Sequence, residues 1–251
     1  MKTIELPQPF PLEKPSLGCW LRLPTSISAE IAARIDFDYI CIDMQHGYAT
    51  RNDLPAILQA LQPYARRVIV RVLSNEPSLI GWVLDMGATG VIVPLINSAS
   101  EARSAVEACQ YPPNGTRSMG PTRALAVFGD QYVQEARTCI QCIPMIETTT
   151  ALNDLENILA TPGVDVIYVG PSDLSVSLGL PRGNNDGEPL FDKALETIVN
   201  ACSHHKVVPG IQTNADLATR RIKQGFRVLT VSEDDIAMSR GLNEDLKKLR
   251  S

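Results

Sequence analysis

The sequence lacks any unbroken apolar run near the roughly 18 residues that a membrane-spanning helix needs, so no membrane span is expected. Its first stretch, Met1–Lys14, is rich in proline and charge and has no apolar h-region, which argues against a secretion signal. A basic surplus is also missing. Lys and Arg total 23 against 28 Asp and Glu, for a net charge of −5, so neither nucleic acid nor an anionic membrane is the expected partner. An anionic small molecule then needs a local positive site, an arginine or a metal. Histidine is scarce, with three in 251 residues: His204 and His205 fall at the polar end of a helical stretch, which leaves His46. Lysine is scarce too. Lys2, Lys14, Lys193, Lys206, Lys223, Lys247 and Lys248 all fall in terminal segments, on outer helices or before a strand, so none stands where a Schiff base would be needed. The cysteines Cys19, Cys41, Cys109, Cys139, Cys142 and Cys202 sit mostly in apolar runs, where cysteine acts as a small hydrophobe. A reduced, cytoplasmic protein is the reading, and the sequon Asn114-Gly115-Thr116 is then a chance match.

What is present is a regular alternation. Short, nearly continuous apolar runs read as strands covered on both faces: Leu17–Leu23, Tyr39–Asp43, Val68–Val72, Gly90–Pro94, Cys139–Ile146, Val164–Gly170, Val207–Ile211 and Arg227–Val231. Between them lie helical patterns at Leu54–Leu61, Pro77–Met86, Ser98–Cys109, Ala151–Leu159, Leu190–Cys202 and Ala215–Gln224. Ser98 and Asn214 read as N-caps, and Gly87 and Gly225 as helix stops. Eight strands alternating with helices indicate an α/β fold with a parallel sheet. The strand count, and the absence of a Gly-x-Gly-x-x-Gly turn after the first strand, favour a closed (β/α)8 barrel over a doubly wound sheet. The length agrees, since such barrels take about 250 residues. With no linker or repeat, residues 1–251 read as one barrel domain. The connection Asn114–Asp130 is long for this fold and reads as a lid or rim.

Catalytic groups of such barrels gather at the C-terminal strand ends. Those ends carry Trp20 on strand one, Asp43 to Gly47 after strand two, Arg71 on strand three and Pro94 on strand four. Strand five leads to Glu147, strand six to Gly170-Pro171-Ser172-Asp173, strand seven to Gln212, and strand eight to Ser232 and Glu233. Glu147 and Asp173 lie on neighbouring strands and offer two hard oxygen donors that suit Mg²⁺ or Mn²⁺; each could instead simply cap the following helix, Asp173 before Leu174–Leu178. His46, just past a strand end and close to Asp43, is a candidate general acid or base. Arg71 needs an anionic partner if buried, either Asp43 in a structural pair or a substrate oxygen. Cys139-x-x-Cys142 is rejected as a redox or zinc motif: read as members of one strand, the two residues face opposite sides of the sheet.

These residues carry a resemblance. Phe37-Asp38-Tyr39-Ile40-Cys41-Ile42-Asp43-Met44-Gln45-His46-Gly47, Tyr111-Pro112-Pro113-Asn114-Gly115-Thr116-Arg117, Met145-Ile146-Glu147-Thr148 and Gly170-Pro171-Ser172-Asp173-Leu174-Ser175 resemble the class II pyruvate aldolase family, whose namesakes cleave 4-hydroxy-2-oxoheptanedioate and 2-keto-3-deoxy sugar acids. The likeness runs from about Ser16 to Ser239 with the motifs in family order. It implies a (β/α)8 barrel of the phosphoenolpyruvate/pyruvate type and a metal-dependent aldol cleavage of a 4-hydroxy-2-oxo acid to pyruvate, or a related 2-oxo acid, and an aldehyde. A divalent metal (Mg²⁺, Mn²⁺ or Co²⁺) would be held by Glu147 and Asp173. Substrate would be bound by Trp20, Gly170, Ser172 and Asp173. Arg71 would stabilise the enolate oxygen, and His46 would move protons, oriented by Asp85. A homo-hexamer with the C-terminal helix exchanged between subunits is also implied, with Glu244–Arg250 at an interface. Met145 departs from the glutamine that many members carry there. The alternatives are a metal-dependent CoA-thioester lyase of the citrate-lyase β-subunit type, for which Arg117 and Arg123 make a thin cationic groove, and a non-catalytic barrel. The convergence of His46, Arg71, Glu147 and Asp173 speaks against the latter.

Overall fold

The computed structural model describes residues 4–64 and 67–250. Eight parallel strands close into a barrel in chain order: β1 (Ser16–Leu21), β2 (Tyr39–Asp43), β3 (Arg67–Arg71), β4 (Gly90–Val93), β5 (Gln141–Ile146), β6 (Val166–Val169), β7 (Val208–Gln212) and β8 (Val228–Glu233). The helices are α1 (Ser26–Ala33), α2 (Leu54–Leu61), α3 (Pro77–Asp85), α4 (Ala99–Cys109), α5 (Thr122–Phe128), α6 (Tyr132–Cys139), α7 (Thr149–Asn153), α8 (Leu155–Leu159), α9 (Pro171–Ser177), α10 (Pro189–His205), α11 (Ala215–Gln224) and α12 (Asp234–Arg250). The strand limits read from sequence differ from these by at most two residues at any end. Among the described residues no helix is long and apolar enough to cross a membrane.

The strands are buried on both faces, as in Tyr-Ile-Cys-Ile-Asp of β2, because helices cover the outside and side chains fill the inside. The filling obeys the two-residue alternation of a strand. Trp20, Tyr39, Cys41, Ile69, Ile92, Ile143, Met145, Val166, Tyr168, Val208 and Val228 form the interior, joined by Phe10 from the N-terminal arm. Phe10 meets Tyr39 edge to face at 5.4 Å, and the Arg67 guanidinium lies 4.2 Å from the Phe10 ring. The barrel is therefore stoppered at the N-terminal ends of its strands and open at the other. Gly18 is small because the Tyr39 ring takes its place: a Cβ there would lie 2.2 Å from the ring.

Three local expectations are corrected. Ala151–Leu159 is not one helix but α7 and α8, because Asp154 leaves the helical region and turns its carboxylate to the amide of Ala99 and the side chain of Asn157. The stretch Asn114–Asp130 contains α5, and it connects α4 to β5. In a parallel barrel that connection runs at the N-terminal ends of the strands, so it covers the stoppered end and is no lid over the open end of its own chain. Cys139 closes α6 rather than lying in β5, so the reason given for rejecting a Cys139/Cys142 motif does not hold; both thiols are free.

Candidate functional site

Continuing the inward alternation by one step past the interior brings polar groups to the open end. Cys41 is followed by Asp43, Ile69 by Arg71, Met145 by Glu147, Tyr168 by Gly170, and Gly210 by Gln212. Asp43, Arg71, Met145, Glu147, Tyr168, Gly170 and Gln212, with Trp20, Arg22, His46, Ser172, Asp173, Val176, Arg182, Glu233 and Ile236, line a cavity of about 580 Å³.

Asp43 organises one wall. It stands opposite Arg71 in the β2–β3 register. Arg71 donates through Nε and Nη2 to the two carboxylate oxygens at 2.9 and 2.5 Å. Trp20 Nε1 donates at 3.1 Å, and the amides of Gln45 and His46 donate at 3.0 and 3.2 Å. Burial pushes the Asp43 carboxyl up, but the hydrogen bonds and charge of Arg71, aided by Trp20 and the His46 amide, outweigh it and hold the group below its usual range. Of the two partners that sequence left open for Arg71, the protein supplies Asp43. Among the described residues the remaining guanidinium nitrogen, Nη1, has no acceptor, so it is free for a substrate oxygen. The same carboxylate fixes the backbone at His46, whose exposed side chain lines the cavity.

Glu147 forms the opposite wall and is 2% exposed. One oxygen accepts the Leu95 amide at 2.8 Å. Leu95 is one of two described non-glycine residues at positive φ, 54°, a costly conformation that aims its N–H at the carboxylate. Burial, offset by that amide, raised further by the charge of Asp173 and lowered by Arg71, lifts the Glu147 pKa from 4.5 to about 7.

Does this wall fit a divalent cation? Among the described residues Oε2 of Glu147 has no hydrogen-bond partner, and a Cβ on Gly170 would lie 2.3 Å from it. Glycine at 170 is thus what keeps the space around that oxygen clear. A buried carboxyl pushed up in pKa beside a second carboxyl group is an unfavourable arrangement that a cation relieves. Among the described residues no group of three or more His, Cys, Asp or Glu is placed to hold a metal. Two carboxylates leave most of an octahedral ion's positions to substrate oxygens and water. The two carboxylates, Glu147 and Asp173, offer hard oxygen donors of the kind that suits a divalent cation.

The pKa of Glu147 gives a pH prediction. Its folded value lies above its unfolded one, so its contribution to stability is full below about pH 4.5 and is lost as pH rises through about 7. The metal-free protein should therefore unfold at higher urea at pH 5 than at pH 8. Mg²⁺ affinity should run the other way, falling about tenfold per unit below pH 7 because the ligand must lose its proton. Calorimetric titration at several pH values measures this, and a flat profile would remove Glu147 from the ligand set.

Asp85 is placed differently from expectation. It ends α3, which runs back toward the stoppered end of the barrel, and it accepts from Arg117 Nη2 at 2.7 Å. Within the chain it does not orient His46. Arg117 is buried in this pair and against Tyr132, and Arg123 bonds the Met86 carbonyl and Gln62, so neither arginine is free for a CoA phosphate. Among the described residues no lysine lines the cavity. Sequence reasoning passed over Arg22 and Tyr168, which the alternation Gly18–Trp20–Arg22 and Tyr168–Gly170 could have shown, and Arg182, which lies in a turn and carries no periodic signal. Gln212 accepts from Tyr168 and donates to Glu233 at 3.2 Å, and Glu233 also takes Arg22 at 3.1 Å.

A family model described as HpcH/HpaI aldolase/citrate lyase matches residues 16–238. A 2-keto-3-deoxy-L-rhamnonate aldolase of Escherichia coli is 34% identical over 94% of this chain and 89% of its own. A 4-hydroxy-2-oxo-heptane-1,7-dioate aldolase of Klebsiella pneumoniae is 36% identical over 91% and 87%. The crystal structure of an HpcH/HpaI aldolase/citrate lyase family protein from Burkholderia cenocepacia superposes with a TM-score of 0.88 at 32% identity, covering 95% of this chain and 96% of that one.

Proposed function

The chain belongs to the HpcH/HpaI aldolase/citrate lyase family and is a carbon–carbon lyase of the aldolase type, and from that premise we propose that it cleaves a 4-hydroxy-2-oxo acid reversibly to pyruvate, or a related 2-oxo acid, and an aldehyde with the help of a divalent metal. The observation that carries this is the meeting, in one cavity, of Glu147 and Asp173 with the Asp43-anchored Arg71 and with His46. A divalent cation (Mg²⁺, Mn²⁺ or Co²⁺) between Glu147 and Asp173 would supply positive charge beside the 2-oxo group, lowering the cost of the enolate formed there.

The chain's own groups do the rest. The amides of Ser172 and Asp173 lie in the first turn of α9, where no helical acceptor exists for them, and hold the substrate carboxylate beside Gly170. Trp20 closes the side wall and keeps Asp43 in place. Arg71 Nη1 donates to the oxygen on which charge develops. His46, directly or through a water, takes the proton of the C4 hydroxyl; the C3–C4 electron pair moves into the enolate, the aldehyde leaves, and a proton returned to C3 completes pyruvate. Incubation with Mg²⁺ and pyruvate in D₂O tests the enolate step: exchange of the methyl protons is expected, and a non-catalytic barrel gives none.

His46→Ala should slow cleavage about 10²–10⁴-fold, the usual range for a proton-transfer group. It should leave Mg²⁺ and pyruvate binding unchanged in calorimetry; a loss of metal affinity would make His46 a ligand instead. The reading extends to a cytoplasmic protein with one barrel over residues 1–251, working as a homo-hexamer that exchanges α12. That helix has no buried residue. Met238, Leu242, Leu246 and Leu249 expose 44–87% of their surface along one face, an apolar stripe that a second subunit would cover.

A further inference from the structure

Three arginines line the cavity, and two are neutralised. Arg71 is held by Asp43, and Arg22 by Glu233 and Asp235 at 3.1 and 3.4 Å. Arg182 is exposed and, among the described residues, has no carboxylate partner and no side-chain hydrogen bond. A solvated arginine on a loose loop would mean little, but this loop is built. Ser175 Oγ donates to the Gly183 carbonyl at 2.7 Å, and Asn185 Nδ2 to the Pro181 carbonyl at 2.7 Å. Arg221, fully buried, reaches in from α11 to grip Asp186 through both carboxylate oxygens at 2.7 and 2.9 Å, and Asn184 at 2.9 Å. Burying a guanidinium is costly unless its partners are well placed, and here the partners are the loop itself. The result is a backbone fixed on both sides of Arg182 while the Arg182 head is left unengaged at the cavity.

The same segment fixes a length. Ser172, Asp173 and Val176 of α9 all face the cavity, so the helix lies along its wall, with the 2-oxo-acid end of the site at its start and Arg182 beyond its end. Seven residues of helix span roughly 10 Å, which is the order of length of a six- or seven-carbon oxo acid. We propose that Arg182 is the specificity residue for the aldehyde half and that it selects substrates carrying an anion, a carboxylate or sulfonate, at the end remote from the 2-oxo group. The planar guanidinium suits either by paired hydrogen bonds. This inference rests on the aldolase reading and goes beyond it, since the relatives named for a rhamnonate and for a heptane-1,7-dioate differ in whether the far end carries a second acid group.

The test compares aldol addition of pyruvate, with Mg²⁺, to succinic semialdehyde and to its neutral methyl ester. The wild-type kcat/KM should favour the anion by about 10–100-fold, the worth of one charged hydrogen-bonded pair. Arg182→Gln should remove that preference while leaving the ester rate within about twofold, and Arg182→Lys should restore part of it. Methyl-proton exchange of pyruvate in D₂O should be the same in all three proteins. If exchange is intact but Arg182→Gln keeps the preference, or lowers both aldehydes equally, the role of Arg182 is wrong and the aldolase reading survives. If wild type shows no exchange, both fall.

Discussion

Excess EDTA is expected to abolish aldol cleavage, and added Mg²⁺, Mn²⁺ or Co²⁺ to restore it. An aldolase stabilises its carbanion either by a metal or by a lysine Schiff base. The second route is closed here, since among the described residues no lysine lines the cavity. Lys206 ends α10, and Lys193 pairs with Glu196 on the outer face of α10. Borohydride added with pyruvate should therefore neither inactivate the protein nor add mass to it. Glu147→Gln should behave like chelation, with activity down by 10³-fold or more, the loss of several kcal/mol of charge stabilisation. It should nonetheless leave the metal-free protein folded, because the amide keeps an acceptor for the Leu95 N–H and removes a buried charge near Asp173. A pyruvyl-lysine adduct in the mass spectrum, or full activity in EDTA, would falsify the metal reading.

Arg71→Ala should lower kcat/KM by about 10²–10³, the cost of one donor to a developing oxyanion. If Arg71 served only a substrate oxygen, one of the two partners the sequence leaves open for it, the loss of folding stability would be small. The structure changes that expectation. Asp43 is 1% exposed and would keep only the Trp20 and backbone donors. Removing one member of a buried pair costs about 3–5 kcal/mol, so urea midpoints should fall together with the rate. The two effects separate in Asp43→Asn/Arg71→Ala, where no buried charge remains: stability should recover in part and activity should not. A folded Arg71→Ala protein with wild-type cleavage would end the assignment.

Strand positions, strand ends and several of the residues that line the cavity were legible because they follow from local backbone geometry. Side chains in a strand alternate whatever surrounds them, so a pattern such as Cys41–Asp43 or Met145–Glu147 already says which residues face the interior and which one ends it at the open rim. The family motifs lie on those same ends. Helix caps were legible for the same reason: Ser98 and Asn214 each accept an amide three residues on.

What remained hidden depends on segments far apart in the chain. The commitment of Arg71 to Asp43 follows from the register of β2 against β3. The raised pKa of Glu147 follows from its burial, which outweighs the opposing amide of Leu95 on another connection. The placing of Asp85 and of Asn114–Asp130 at the stoppered end depends on which way each helix returns, which no residue pattern in those segments states. Arg182 stands at the cavity on a loop that Arg221, thirty-nine positions away, helps to hold. Alternation and capping are properties of a few consecutive residues and can be read in one dimension. Pairing, desolvation and reach are properties of distance in space, and only the closed barrel sets those distances.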